Sequence, residues 1–337
     1  MNRATYQYNK SFNSEIGGTL ANLEISYTTY GKMNTEKDNV IWVCHALTAN
    51  SDVSEWWPGL FGEGELLDPA KHFIICANNL GSPYGSSSPL SNNPASGKKY
   101  GIAFPKTTLR DSAKANILLA EHLGIQGIHL LIGGSCGGNI ALEMAYLLEL
   151  EVEHLVLMCS AAQESPFNIG VHEGQRMAIE ADSSFGTESE KAGQLGLKAA
   201  RGMALNFYRT FDSINTAQKE EDIQVVDDFK ASSYIRYQGE KLVQRFDPTC
   251  YYKLLKTLDT HNIGRGRGSV KKALSKIVSN TLCLGIDTDI LIPIEEQKFL
   301  ADYIPKGYFV EIKSAFGHDG FLLEYGQITS AVKAFLK

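Results

Sequence analysis

The sequence predicts an α/β protein: a mostly parallel central sheet with helices on both faces, interrupted by a helical insertion. Three observations carry this reading. Short apolar, β-branched runs recur at residues 39–44, 73–77, 129–132, 154–159, 280–285 and 308–312. They are apolar at consecutive rather than alternate positions, the pattern of strands buried on both faces. Helical patterns follow most of them, and alternating strand and helix means parallel strands joined by crossovers. Between Gln163 and Ile277 the alternation stops, and only helical patterns remain. The chain therefore divides into a first part of the core at 1–162, a helical lid at 163–277 and a second part of the core at 278–337.

The elements follow in order. Residues 1–18 are polar and lack a signal-peptide core. A strand is expected over 23–29, with a turn at Gly31. The run 39–44 ends at His45-Ala46-Leu47-Thr48, and the run 73–77 opens a loop rich in Gly, Ser, Pro and Asn that continues to about Gly101. Thr108-Leu109-Arg110-Asp111 has the spacing of a capping box, with Asp replacing the usual Glu, and starts a helix to His122. An apolar strand then ends at Gly133-Gly134-Ser135, and a helix is expected over 139–148. In the insertion, 199–208 reads as a helix. Asp247-Pro248 reads as an N-cap with proline at the first helical position, opening 249–258. The acidic segment 218–228 reads as a solvated loop or helix end. Helices over 295–303 and 326–337 complete the second core part.

Composition narrows the function. Apolar residues make up 43% and charged residues 21%, the balance of a soluble globular protein with a substantial core. A net charge of -6 argues against nucleic acid, which demands a basic surface. No stretch is apolar enough to span a bilayer. Six cysteines form no C-x-x-C pair, and four lie in or beside strand-like runs, which suits small buried hydrophobes in a reducing cytoplasm. The eight histidines lack zinc-site spacing.

Gly133, Ser135 and Gly137 form a Gly-x-Ser-x-Gly pattern between a strand and a helix, the arrangement of a nucleophile elbow. The glycines let strand and helix approach, and the helix N-terminus favours negative charge beside the hydroxyl. A Gly-rich turn that merely packs would share the pentapeptide; the flanking elements favour the nucleophile. A serine hydroxyl needs a base, and the base an orienting acid. In α/β-hydrolases these follow in the order Ser, Asp or Glu, His. His318 is the only histidine after His261 and falls in the last strand-to-helix loop. Asp287 and Asp289 both follow the strand at 280–285, and position alone leaves both open as the acid. Acyl transfer also needs two oxyanion donors; the amides of Cys136 and Leu47 occupy the expected places. The Cys136 thiol is a rival nucleophile by proximity only.

With these residues in view, the chain resembles the homoserine O-acetyltransferase family of the α/β-hydrolase superfamily over nearly its whole length. The resemblance rests on His45-Ala46-Leu47-Thr48, Asn79-Leu80-Gly81-Ser82, Phe104-Pro105, Leu109-Arg110-Asp111 and Gly133-Gly134-Ser135. It continues through Gln175-Arg176-Met177-Ala178-Ile179, Ala200-Arg201, Tyr208-Arg209, Tyr237-Gln238-Gly239 and Arg245-Phe246-Asp247, and ends with Asp289 ahead of Pro293 and Gly317-His318-Asp319-Gly320-Phe321-Leu322. It implies Ser135, Asp289 and His318 as catalytic residues, Arg201 and Asp319 as substrate-binding residues, and Tyr208 near the site. A guanidinium fork suits an amino-acid carboxylate, and Asp319 suits its ammonium. The family usually has Met after the serine, where Cys136 stands here, and the loop at 82–88 departs from the commoner pattern.

The implied reaction moves an acetyl group from acetyl-CoA, a co-substrate, to L-homoserine through an acyl-serine, on the route to methionine. No bound cofactor and no metal are expected, and the protein should be cytoplasmic. Serine as acceptor, succinyl as acyl group, or water as acceptor in an ester hydrolase are the alternatives. The insertion is expected to narrow access to the site and to carry a homodimer interface. Trp56-Trp57 reads as aromatic packing, and Gly264-Arg265-Gly266-Arg267-Gly268 as a flexible basic loop rather than a coenzyme A phosphate site.

Overall fold

The computed structural model describes residues 1–337. Eight strands form one sheet: β1 (Asn2–Tyr8), β2 (Leu23–Tyr30), β3 (Val40–Cys44), β4 (Phe73–Ala77), β5 (Gly127–Gly134), β6 (Glu151–Met158), β7 (Asn280–Ile286) and β8 (Gly307–Ile312). Their spatial order is β1-β2-β4-β3-β5-β6-β7-β8. All neighbours from β4 to β8 run parallel; β2 runs antiparallel to both β1 and β4. A short hairpin pairs Phe12–Asn13 with Thr19–Leu20.

Alternate residues of each buried strand feed two cores. Val40, Trp42 and Cys44 point to one face, Ile41 and Val43 to the other. The first face is covered by α2 (Leu109–His122), α3 (Cys136–Leu147) and α10 (Ile294–Tyr303). The second is covered by α11 (Tyr325–Phe335) and by α1 (Val53–Trp56) with the loop after it. Trp57 is fully buried there, its indole N–H donating to Phe321 O at 3.1 Å. The Thr108–Asp111 capping box forms in both directions. No helix is long and apolar enough to cross a membrane.

The sequence pattern missed β1. Its burial alternates from exposed to half-buried, because it is an edge strand with one wet face, and its polar composition hid it. Between β6 and β7 lie α4 (Pro166–Glu180), α5 (Gln194–Tyr208), α6 (Phe211–Gln218), α7 (Lys230–Val243), α8 (Pro248–Leu258) and α9 (Val270–Leu274), with no strand of the sheet among them. In this segment α5 packs between α4 and α7. Asp247 caps α8, accepting from the Cys250 amide at 2.8 Å.

The 264–268 loop is not a free basic loop. Arg265 pairs with Glu15 at 2.8 Å, and Arg267 pairs with Glu143 at 2.8 Å while lying over the Tyr146 ring at 3.6 Å. Arg110 joins the same carboxylates, at 2.5 Å to Glu15 and 3.1 Å to Glu143. Both arginines are spent on tying the chain's first residues and α3 to the end of the insertion.

Candidate active site

Ser135 stands between β5 and α3 at φ 56, ψ -129, a left-handed conformation that costs a non-glycine residue about 1–3 kcal/mol. Its neighbours hold it there. Its amide donates to Met158 O at 2.8 Å, and its carbonyl accepts from the Gly138 and Asn139 amides and the Ser160 hydroxyl. Glycine is obligatory on either side: a Cβ at Gly137 would sit 2.1 Å from Cys44 O, and one at Gly133 2.5 Å from the Gly137 backbone. Serine at a helix start ordinarily caps it. Here the hydroxyl makes no capping bond and meets His318 Nε2 at 2.9 Å.

His318 Nδ1 lies 2.7 Å from Asp289 Oδ2. The other oxygen of Asp289 accepts from the Leu291 and Ile292 amides at 2.8 and 3.0 Å, which fixes the carboxylate. Asp287, the other candidate acid, accepts from the Ser314 amide and faces Lys313. Burial alone would push the His318 imidazole down; Asp289 outweighs this, Asp319 and Glu164 add to it, and the group stands above its ordinary value. The relay Ser135–His318–Asp289 is continuous and buried around the imidazole.

The Leu47 amide follows β3 and makes no hydrogen bond within the chain. Cys136 opens α3, so its amide is one of the helix's unpaired first donors. His45 holds the strand-to-loop corner: Nδ1 bonds Ala46 O at 2.8 Å, and Nε2 accepts from the Asn79 amide at 3.0 Å. Desolvation pushes this imidazole down to about 4, so it stays neutral and keeps that tautomer. Arg245 grips the carbonyl of Thr48 and the Tyr84 hydroxyl, pinning the same loop from the turn between α7 and α8. The Cys136 thiol is buried and pushed up to about 12, which removes it as a nucleophile near neutral pH.

A cavity of about 100 Å³ opens on Ser135 and His318, and Leu47, Arg201, Tyr208 and Asp319 all line it. Arg201 comes from α5. It makes no salt bridge or hydrogen bond, its Nε is buried without an acceptor, and its guanidinium stands 5.6 Å from the Tyr208 ring centre. The Tyr208 ring lies 5.9 Å from that of His318. Asp319 is not a free carboxylate. Its Oδ2 lies 2.7 Å from Arg209 Nε, an ion pair by distance in which the N–H is not aimed at the oxygen. The end of α5 is bolted to the histidine loop, since Thr210 donates to Ala315 O at 2.6 Å.

Sequence reasoning missed His172. It lines the same cavity from α4, with Nδ1 2.8 Å from Asp259 Oδ1. The available signal was the i,i+4 pair His172 and Arg176, one turn apart on one helical face; Arg176 reaches the other oxygen of Asp259 at 2.7 Å.

Two side-chain groups have metal-like spacing. In the first, Cys159 lies beside Asp289 and His318 of the relay, where both imidazole nitrogens are engaged. His129, Glu153 and His154 lie on β5 and β6, and the His129–Glu153 contact is 2.8 Å.

Known proteins align along the whole chain. The family model described as alpha/beta hydrolase fold matches residues 39–325. A homoserine O-acetyltransferase of Cyclobacterium marinum is 46% identical over 335 residues, 99% of this chain and 95% of the relative. The crystal structure of a homoserine O-acetyltransferase from Bacillus anthracis superposes with a TM-score of 0.93 at 26% identity, covering 100% of this chain and 97% of that one. An acetylester hydrolase from Corynebacterium glutamicum gives a TM-score of 0.88 at 21% identity, covering 99% and 96%, a likeness of fold alone.

Proposed function

The chain belongs to the homoserine O-acetyltransferases of the α/β-hydrolase fold, and from that premise we propose a two-step transfer of an acetyl group from acetyl-CoA to the hydroxyl of L-homoserine. His318 takes the proton of Ser135 as Oγ attacks the thioester carbonyl. The tetrahedral oxyanion rests on the Leu47 and Cys136 amides. The C–S bond breaks, the coenzyme A thiolate leaves with the proton held by His318, and an acetyl-serine remains. The homoserine hydroxyl then gives its proton to His318 and attacks the acetyl carbonyl. Collapse returns the proton to Ser135 Oγ and releases O-acetyl-homoserine. Asp289 keeps the imidazole in the tautomer that both steps need.

One observation carries the choice of acceptor: the Arg201 guanidinium in the serine's own cavity, partly buried and without an acceptor in the chain. An unpaired cation in such a place is costly unless an anion completes it. An amino-acid carboxylate does so bidentately and brings the hydroxyl into line, where proximity favours it over water. A plain esterase has no use for that cation. Asp319 and Tyr208 complete the acceptor's surroundings.

No bound cofactor or metal enters this scheme. The six free, buried cysteines suit a reducing cytoplasm. Exposed Met177, Leu195 and Phe211 suit a homodimer formed through the insertion, which sedimentation equilibrium tests. The reaction is tested by following coenzyme A release with acetyl- and succinyl-CoA, with and without homoserine or serine, and weighing the product. Acetyl-CoA with homoserine should give the fastest release and a product heavier by one acetyl group. Release that ignores the acceptor would identify a hydrolase.

A further inference from the structure

We propose that His172, oriented by Asp259, is a specificity-determining contact for the amino group of the amino-acid acceptor. The inference rests on the acyl-transfer reading above and deepens it. His172 lies on α4 with 9% of its side chain exposed, and its ring forms part of the cavity wall. Asp259 is held by two groups one helical turn apart, His172 at 2.8 Å and Arg176 at 2.7 Å. Asp259, paired by distance with Arg176, is the acceptor in the contact with His172, so Nδ1 is the nitrogen that carries the proton. Nε2 is left with its lone pair. It makes no hydrogen bond within the chain, and His172 is one of the residues that line the cavity.

The cavity's charge balance calls for such an acceptor. Arg201 serves a carboxylate. Asp319, the one carboxylate lining the cavity, already shares its charge with Arg209. An ammonium has three N–H donors, and one half-neutralised carboxylate does not satisfy them. Thr48 O is engaged by Arg245, and Ser135 and His318 are engaged by each other. The His172 imidazole, held through Nδ1 by Asp259, offers Nε2 as a further acceptor.

The test compares homoserine with 4-hydroxybutanoate, which keeps the hydroxyl and carboxylate and lacks the amino group. It uses the full-length wild type, His172→Ala, His172→Gln and Asp259→Asn, with acylation read separately as the burst of coenzyme A before acceptor is added. His172→Ala should lower kcat/KM for homoserine by about 10–100-fold, chiefly through KM, and leave 4-hydroxybutanoate and the burst nearly unchanged. His172→Gln should recover part of the preference, because its amide oxygen can accept. Asp259→Asn presents a donor to Nδ1, drives the proton to Nε2, and should lose the preference although the ring remains. Equal losses for both acceptors, a lost burst in His172→Ala, or an unchanged preference would each overturn the inference. Absence of any burst in the wild type would instead remove the acyl-serine reading on which it stands.

Discussion

Replacement of Arg201 by Met separates a substrate anchor from a helix-surface ion pair, because the two roles predict opposite effects on stability. An ion-paired arginine stabilises the fold, and its loss should lower Tm. Arg201 has no acidic partner, and its Nε is buried without an acceptor. Removing it deletes an uncompensated charge and leaves no carboxylate orphaned, so Tm should hold or rise. Met keeps an unbranched chain and adapts to the space. The catalytic effect should be large. Two charge-assisted hydrogen bonds to a carboxylate, at about 1.5–3 kcal/mol each, amount to about 3–6 kcal/mol, or roughly 10²–10⁴ in kcat/KM for homoserine. Arg201→Lys should recover only part, since an ammonium does not reproduce the planar fork. The assay is steady-state transfer to homoserine beside the coenzyme A burst, with thermal unfolding on the same samples. The burst should survive, because no step of acylation uses this cation. A variant whose kcat/KM stays within about fivefold of the parent, or one that loses its burst and several degrees of Tm together, would refute the argument.

Other predictions follow from the same geometry. Because Asp289 holds His318 above its ordinary value, kcat/KM should rise with pH along a limb centred above the usual imidazole range, since the base must be neutral. Asp289→Asn should move that limb to lower pH and cut kcat by about 10⁴, as the amide forces the wrong tautomer; a pH–rate profile of both proteins decides it. Iodoacetamide should neither label Cys136 nor inactivate the native enzyme at pH 8, and Cys136→Ala should stay within about threefold of parent activity, because the thiol is buried and pushed up to about 12 and the proposed oxyanion contact is the amide. His45 should make stability acid-sensitive. Its folded value is about 4 and its unfolded value about 6.5, so between these the unfolded chain binds the extra proton. The contribution is complete above about pH 6.5 and shrinks as pH falls toward 4, by about 3 kcal/mol at 1.36 kcal/mol per unit. Denaturant titrations across that window should show a shallower pH dependence in His45→Gln than in the parent.

Much of the fold was legible because its signals are local. Consecutive apolar residues mark strands covered on both faces, and the runs at 73–77 and 280–285 agree with β4 and β7 to within a residue. Thr108 and Asp247 announced their helices through caps, which depend on three or four neighbouring residues. Edge strand β1 stayed hidden because one wet face removes the apolar signal. The basic loop at 264–268 misled for a different reason: its partners Glu15 and Glu143 lie far away in the chain, and local composition cannot register them.

The sequence alone determined the chemistry on offer: one serine between glycines, one downstream histidine in the last loop, and a helical insertion bearing an arginine. These are matters of residue type and order, which a chain carries without folding. Tertiary structure decided which groups meet. Asp287 and Asp289 are two residues apart, and only the turn after β7 directs one to His318 and the other to the Ser314 amide. Asp319 shares its charge with Arg209, Arg201 has no acidic partner, and His172 joins Asp259 across the insertion. Pairing and burial are properties of packed distances of a few ångströms between groups far apart in the chain, and those distances come into being only when the sheet, the inserted helices and the loops close around one cavity.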